Sequence, residues 1–388
     1  MTRVPELRFD GFEGEWENLN LSNITERITR KNNELISNLP LTISAELGLV
    51  NQLEYYNFRV ASKDVSNYYL IYNGEFAYNK STSKDAPFGA IKRLDRYEHG
   101  VLSTLYIAFK VKNSNSNFMK YYFETAIWNN HIYKISQEGA RNHGLLNLNV
   151  SDFFDMPVNL PIITYEQEKI GELFSKIDQL IEIQQELVDQ TMAFKKSMLQ
   201  KMFPKKDSLV PEIRFDGFDN DWVVEKLGEL SEIKTGKLDA NAMDKEGKYD
   251  FYTSGIEKYK INSYSFEGPS ITIAGNGATV GYMHLADGKF DAYQRTYVLS
   301  KLDGDRIFLY YQIQSKLPRK IHAESRQGNI PYIVLGMLTD LELDLPTLEE
   351  QEKIGNFFKK LDEKIAREEK LLGGYKDMKK SLLQKMFV

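Results

Sequence analysis

The sequence predicts an α+β chain: two globular domains, mixed and strand-rich, separated by two long antiparallel helices that form a coiled coil, the whole an internal tandem pseudo-repeat. Three observations predict it. The phrase PELRFDGF and the tryptophan after it return as PEIRFDGF at an offset of 206, from Pro5 on Pro211 to Trp16 on Trp222. A second segment, running from EQEKIG to KKSMLQKMF, returns at a constant offset of 184, from Gln167 on Gln351 to Phe203 on Phe387. The stretches between these shared pieces, 25–158 and 231–343, do not align. One frame therefore carries two different inserts.

Residues 1–24 form the opening segment of the first half. Leu7 and Phe9 alternate with Arg8 and Asp10 as in a short extended segment, Gly11 turns it, and Phe12 and Trp16 offer apolar anchors. Anchoring is the expected job of this phrase. By pseudo-symmetry it should lie near the end of the second helix. Residues 25–158 make the first domain, with β-branched and aromatic runs at 68–80 and 101–112 broken by Gly and Asn.

Residues 159–204 make the first helical spacer. Steps of four and three lead from Ile170 through Phe174, Ile177, Ile181, Gln184 and Val188 to Thr191, a heptad seam. Thr164 with Gln167 has capping-box spacing, and Pro204 stops the helix. Residues 205–230 are a linker with the repeated opening phrase. Residues 231–343 make the second domain, with strand runs at 270–285 and 295–302, and it is about twenty residues shorter than the first. Residues 344–388 make the second spacer. Its seam runs through Ile354, Phe358, Leu361, Ile365, Glu368, Leu372 and Tyr375, and its box is Thr347 with Glu350. Gln184 and Glu368 share one seam position, where a polar residue sets helix register.

Composition excludes several function classes. The chain of 388 residues has no cysteine, which removes disulfides, thiolate nucleophiles and sulfur-ligated zinc. The five histidines never fall four apart, so no helical metal pair is expected. No run of apolar residues is long enough to span a membrane, and the first residues lack a secretory pattern, so a cytoplasmic location and no membrane partner are expected. The loop AGNGATVG at 274–281 resembles a phosphate loop, but a strand-like run follows it where a dinucleotide site needs a helix. A hairpin turn is the better reading. No Gly-x-Ser-x-Gly elbow and no Pro-Pro pair occurs, and no catalytic constellation is found.

The inserts hold loops suited to nucleic acid despite a net charge of -5. The first offers Asn79, Lys80, Ser81, Lys84, Lys92 and Arg93, then Arg141, Asn142 and His143; the second offers Asn276, Thr279, Gln294, Arg295, Arg326, Gln327 and Asn329. Arg and Lys read guanine, Asn and Gln read adenine, and all of them bind phosphate.

The phrase with its Trp, a variable domain, then LP, EQEKIG and a long helix closing in KKSMLQKMF, all repeated once, resembles the specificity (S) subunit of type I restriction-modification systems over essentially the full chain. The resemblance implies that 25–158 and 231–343 are target recognition domains, each reading one half of a split asymmetric site in double-stranded DNA. It implies that the helices set the spacing and dock two methyltransferase (M) subunits. S-adenosylmethionine and adenine-N6 methylation would belong to M, and ATP, Mg and cleavage to the restriction (R) subunits, leaving this chain non-catalytic and without a cofactor. The alternatives are a related methyltransferase complex lacking R, a nucleotide-dependent enzyme using 274–281, and a purely structural coiled-coil protein.

Overall fold

The computed structural model describes residues 3–44, 47–84, 86–136, 144–205, 208–324 and 331–388. The chain divides into two compact units. One comprises Met1–Gln184 with Leu371–Val388, the other Gln185–Lys370. Each unit thus takes its own opening phrase, its own insert, the start of one long helix and the end of the other.

The first unit opens with β1 (Glu17–Asn20), α1 (Leu21–Ile24) and β2 (Thr25–Ile28). The insert follows as β3 (Leu41–Ser44), β4 (Gly48–Asn51), α2 (Gln52–Tyr56), β5 (Tyr69–Tyr72), β6 (Phe76–Asn79), β7 (Ala90–Arg93), β8 (His99–Leu102) and β9 (Ile107–Val111). Three short helices come next: α3 (Ser116–Tyr122), α4 (Asn129–Ile135) and α5 (Val150–Phe154). Strand β10 (Pro157–Leu160) pairs antiparallel with β1 and leads into the long helix α6 (Thr164–Lys201).

The second unit repeats the opening with β11 (Val223–Lys226), α7 (Leu227–Leu230) and β12 (Glu232–Thr235). Its insert is β13 (Tyr249–Tyr252), β14 (Lys258–Ile261), β15 (Phe266–Glu267), β16 (Ser270–Ala274), β17 (Met283–Ala286), β18 (Lys289–Ala292) and β19 (Thr296–Ser300). Helices α8 (Arg306–Glu324) and α9 (Leu335–Thr339) precede β20 (Glu342–Leu345), which pairs with β11, and α10 (Leu348–Met386).

The inserts, which do not align as sequence, each contain a sheet of the same strand order. Its order is β2-β9-β6-β7 in the first unit and β12-β19-β16-β17 in the second, antiparallel throughout. Alternation explains why both faces are covered: Phe76, Tyr78 and Phe109 enter the large core while Ala77 and Ala108 enter a smaller one. The units differ in what covers the second face. The first uses the pairs β3-β4 and β5-β8, the second a four-stranded sheet β14-β13-β18-β15.

Most of the seam residues are buried, as their spacing predicts, and they face more than a partner helix. Ile170, Phe174 and Ile177 lie in the first core with Met386 and Phe387, while Ile181 packs against it. Ile354 and Phe358 lie in the second with Met202 and Phe203, Leu361 packs against that core, and Ile365 is buried. Within each unit the long helices run antiparallel: Phe174 meets Phe387 and Asp178 meets Lys379 in one, Phe358 meets Phe203 and Asp362 meets Lys195 in the other.

The capping boxes are not formed. Gln167 Nε2 donates to Pro161 O while its Oε1 accepts from Ser114 and Asn115, and the Glu350 carboxylate accepts from Arg214. Both side chains face the folded insert or the opening phrase, where stronger partners hold them. The extra residue between Pro161 and Gln167 is absorbed before the helix, because Gln351 Nε2 makes the matching bond to Pro346 O.

The opening phrase lies where pseudo-symmetry places it. Leu7 N donates to Lys385 O and Ile213 N to Lys201 O, both at 2.9 Å. Gly11 and Gly217 both have φ +89, a turn that L side chains disfavour. Trp16 packs its edge on Phe118 and Phe387, as Trp222 does on Phe308 and Phe203. Among the described residues no helix is long and apolar enough to cross a membrane.

Candidate nucleic-acid interface

Each shared sheet has one end tied to a long helix. Strand β9 leads into Asn115, whose N–H reaches Gln167 Oε1 at 2.9 Å and whose side chain caps α3. Strand β19 leads into Asp305, which reaches Gln351 Oε1 at 3.0 Å and caps α8 in the same way. The capped helix then lies against a glycine of the long helix. A Cβ on Gly171 would come within 2.8 Å of Asn117, and one on Gly355 within 2.6 Å of Asp305. One turn further on, Tyr121 donates to Asp178 at 2.9 Å and Tyr311 to Asp362 at 2.5 Å. Burial pushes both phenols far above their ordinary range.

A cluster of charge surrounds the first of these ties. Lys379 lies 2.6 Å from Asp178 and 2.7 Å from Glu124, and Lys120 pairs with Asp95 and Asp178. Burial works against the Lys379 ammonium, but the two carboxylates more than offset it, and its pKa is raised. Lys92, beside the same groups, has its pKa lowered by burial. Arg93 donates to Asp95, Ser116 and Asn117. Of the sequence candidates, Lys92 and Arg93 therefore lie toward the helix-bound end of their strand.

The opposite end of each sheet lies away from the long helices and carries the loops. In the first unit, 80–89 joins β6 to β7 and is stitched to the segment from 144 by Thr82 N to Gly144 O and Leu146 N to Lys80 O. Asn79 accepts from Ser81 N, holding the loop's first turn. Ser81 and Lys84 are exposed, Lys80 half-buried, and neither lysine has a side-chain partner among the described residues. A cleft of about 370 Å³ opens here between Thr82, Ser83, Phe88, Tyr133 and Leu146.

In the second unit the glycine-rich stretch joins two antiparallel strands, β16 and β17, as a hairpin connection. No helix follows it, which removes the geometry a dinucleotide needs. Asn276 accepts from Ser254 at 2.8 Å and Thr279 donates to Ser254 O, so both candidates hold the loop. Gln294 and Arg295 are exposed and free of side-chain partners among the described residues. The corresponding stitch is Ile333 N to Gly275 O at 2.7 Å. Arg141, Asn142, His143, Arg326, Gln327 and Asn329 lie outside the described residues.

Sequence reasoning missed one pair. An offset of 190 carries β8 onto β18, Asn115 onto Asp305, Phe118 onto Phe308 and Tyr121 onto Tyr311. The same offset puts Thr104 and Leu105, both exposed, at the places of Gln294 and Arg295. The Phe-x-x-Tyr pair behind a capping Asn or Asp was the available signal.

The family model described as type I restriction modification DNA specificity domain matches residues 15–190 and 219–373. The chain is 40% identical over 149 residues to the type I restriction enzyme EcoDI specificity subunit of Escherichia coli, covering 38% of this chain and 32% of that protein. It is 24% identical over 315 residues to the MjaVIII specificity subunit of Methanocaldococcus jannaschii, covering 70% of each. The first of these matches thus spans about a third of the relative's length. Among solved structures, a type I restriction-modification S subunit from M. genitalium shares the fold with a TM-score of 0.66 over 99% of both chains, at 16% identity. A chain from a structure of type I system assembly and conformational transition gives 0.56 over 96% of this chain and 97% of that one, at 15% identity. With two matched regions covering most of its length, the chain belongs to the type I restriction modification DNA specificity domain family.

Proposed function

We propose that this chain is the sequence-reading subunit of a type I restriction-modification complex, its first and second domains each taking one half of a split, asymmetric DNA site. The observation that carries this reading is the pairing of identical helix-bound ends with dissimilar free ends. Gln167 and Gln351, Gly171 and Gly355, and Asp178 and Asp362 hold both domains alike. The loops at the other end share no sequence and present lysine, arginine and glutamine side chains to solvent. A common mount with unlike tips suits a reader of two unlike half-sites.

In this reading the long helices serve as spacer and as docking frame for two methyltransferase subunits. S-adenosylmethionine and adenine methylation then reside in M, and ATP, Mg and cleavage in R. The chain itself performs no catalysis and acts in the cytoplasm. An acidic chain binds DNA when partner subunits share the phosphate contacts. A methyltransferase complex without R would use this chain in the same way.

The test is to express the chain with its M subunit in a host lacking adenine methylation and to map the modified adenines. A split motif is expected, with one half changing when 25–158 is exchanged and the other when 231–343 is. A continuous motif, or none, would overturn the reading.

A further inference from the structure

The free end of each sheet contains one tight turn that is closed in the same way in both units. Strand β9 is entered through a tight turn closed by Tyr106 N to Ser103 O at 3.1 Å, and β19 through one closed by Thr296 N to Tyr293 O at 2.8 Å. In the second unit the turn's backbone is held from several sides: Tyr293 N to Tyr252 O, Gln294 N to Leu238 O, and Gly275 N to Arg295 O. Gly236 and Gly275 let neighbouring backbone come this close, since a Cβ would lie 1.8 Å from Ala292 O at one and 2.3 Å from Arg295 O at the other. Only the two central side chains of each turn point free: Gln294 and Arg295 in the second unit, Thr104 and Leu105 in the first.

The chemistry of the two tips differs. Arginine and glutamine carry the donor and acceptor geometry for guanine and adenine edges, whereas Leu105, 59% exposed, offers only an apolar surface. Discrimination between bases needs side chains on a fixed backbone, and the turn of the second unit provides one through these backbone bonds.

We propose that this turn is the base-reading element of both domains, Gln294 and Arg295 taking purine edges in the major groove of one half-site and Leu105 packing on a thymine methyl group in the other. The proposal rests on the reading of the chain as a DNA-recognition subunit and adds the residues and the base chemistry. Lys80 and Lys84 then serve as phosphate contacts that carry no sequence information.

The experiment uses the full chain with its methyltransferase subunit in a host lacking adenine methylation, comparing the unsubstituted chain with Gln294→Ala, Arg295→Ala and Leu105→Ala. Arg295→Ala and Gln294→Ala each lower discrimination by roughly tenfold at a base pair of one half-site and leave the other half-site intact. Leu105→Ala relaxes a T·A position in the opposite half-site by a few fold, on the order of one lost apolar contact. The unchanged half-site reports that each variant is folded. A split motif that all three variants preserve at every position, or a uniform loss of methylation across all sites, overturns the assignment of these turns. A continuous motif from the unsubstituted chain overturns the underlying function as well.

Discussion

Arg8 donates from Nε and Nη2 to the two carboxylate oxygens of Glu166 at 2.7 and 2.8 Å, and Arg214 meets Glu350 at the same two distances. Both glutamates are fully buried and both arginines nearly so. The repeated phrase is thereby strapped to the first turns of the long helix, and its arginine is spent on that bond. Removing one partner leaves a buried charge without its counter-charge. Arg8→Met is expected to lower stability by about 3–5 kcal/mol, and Arg8→Met with Glu166→Met to recover much of it. Urea unfolding midpoints read both; a single variant as stable as the unsubstituted chain would refute the strap.

Glycines in the long helices divide into two kinds. Gly171 and Gly355 sit where a Cβ would press on a neighbouring helix, whereas a Cβ on Gly373 or Gly374 of α10 meets nothing within 4 Å. Alanine at Gly171 or Gly355 is expected to destabilise by about 1–3 kcal/mol through overpacking. At Gly373 or Gly374 it should stabilise by roughly 0.5–1 kcal/mol through helix propensity. Thermal unfolding of the four single variants would separate the classes, and equal signs at all four would count against the close approach.

Tyr121 and Tyr311 make matching bonds to Asp178 and Asp362. Each Tyr→Phe variant should cost about 1.5–3 kcal/mol, the range for a bond to a charged group. The phenols also set an alkaline limit. Their folded pKa values lie above the ordinary 10.0, so their contribution is complete below pH 10 and is lost as pH rises past it. The double Phe variant should lose less stability between pH 9 and about 11 than the unsubstituted chain. A parallel pair of pH curves would exclude the tyrosines as the cause.

His284 is expected to make the second unit sensitive to acid. It lies between Tyr252 and Tyr282 with Nε2 3.3 Å from Gly255 O, and burial lowers its pKa below 6.5. A depressed folded value means the contribution is whole above pH 6.5 and is lost as pH falls below it. Urea midpoints at pH 7 and about pH 5 should differ less for His284→Gln than for the unsubstituted chain. An unchanged difference would place the acid sensitivity elsewhere.

The frame was legible because its residues recur at fixed offsets and helical spacing. Ile170, Phe174 and Ile177 announce a buried face, and a hairpin at 274–281 follows from the strand-like residues after it. The common strand order was not legible, because β2 meets β9 across some eighty residues of chain and strand propensity does not say which strands pair. Residue type made Arg93, Asn276 and Thr279 candidates for DNA contact but did not show that each also bonds within the chain. Where a polar side chain points depends on what the fold brings beside it, here Asp95 for one and Ser254 for the others.

The sequence by itself determined the duplicated plan, the two long helices and the positions where each half begins, since these follow from local periodicity and exact recurrence. Only the tertiary structure decided that the unlike inserts are built on two sheets of matching strand order, that Arg8 and Arg214 close on buried glutamates, and that Thr104 and Leu105 hold the places in the first unit that Gln294 and Arg295 hold in the second. The sheets and the buried ion pairs join residues far apart along the chain, and such contacts are selected by packing and by the pairing of buried polar groups, which no local window of residues encodes.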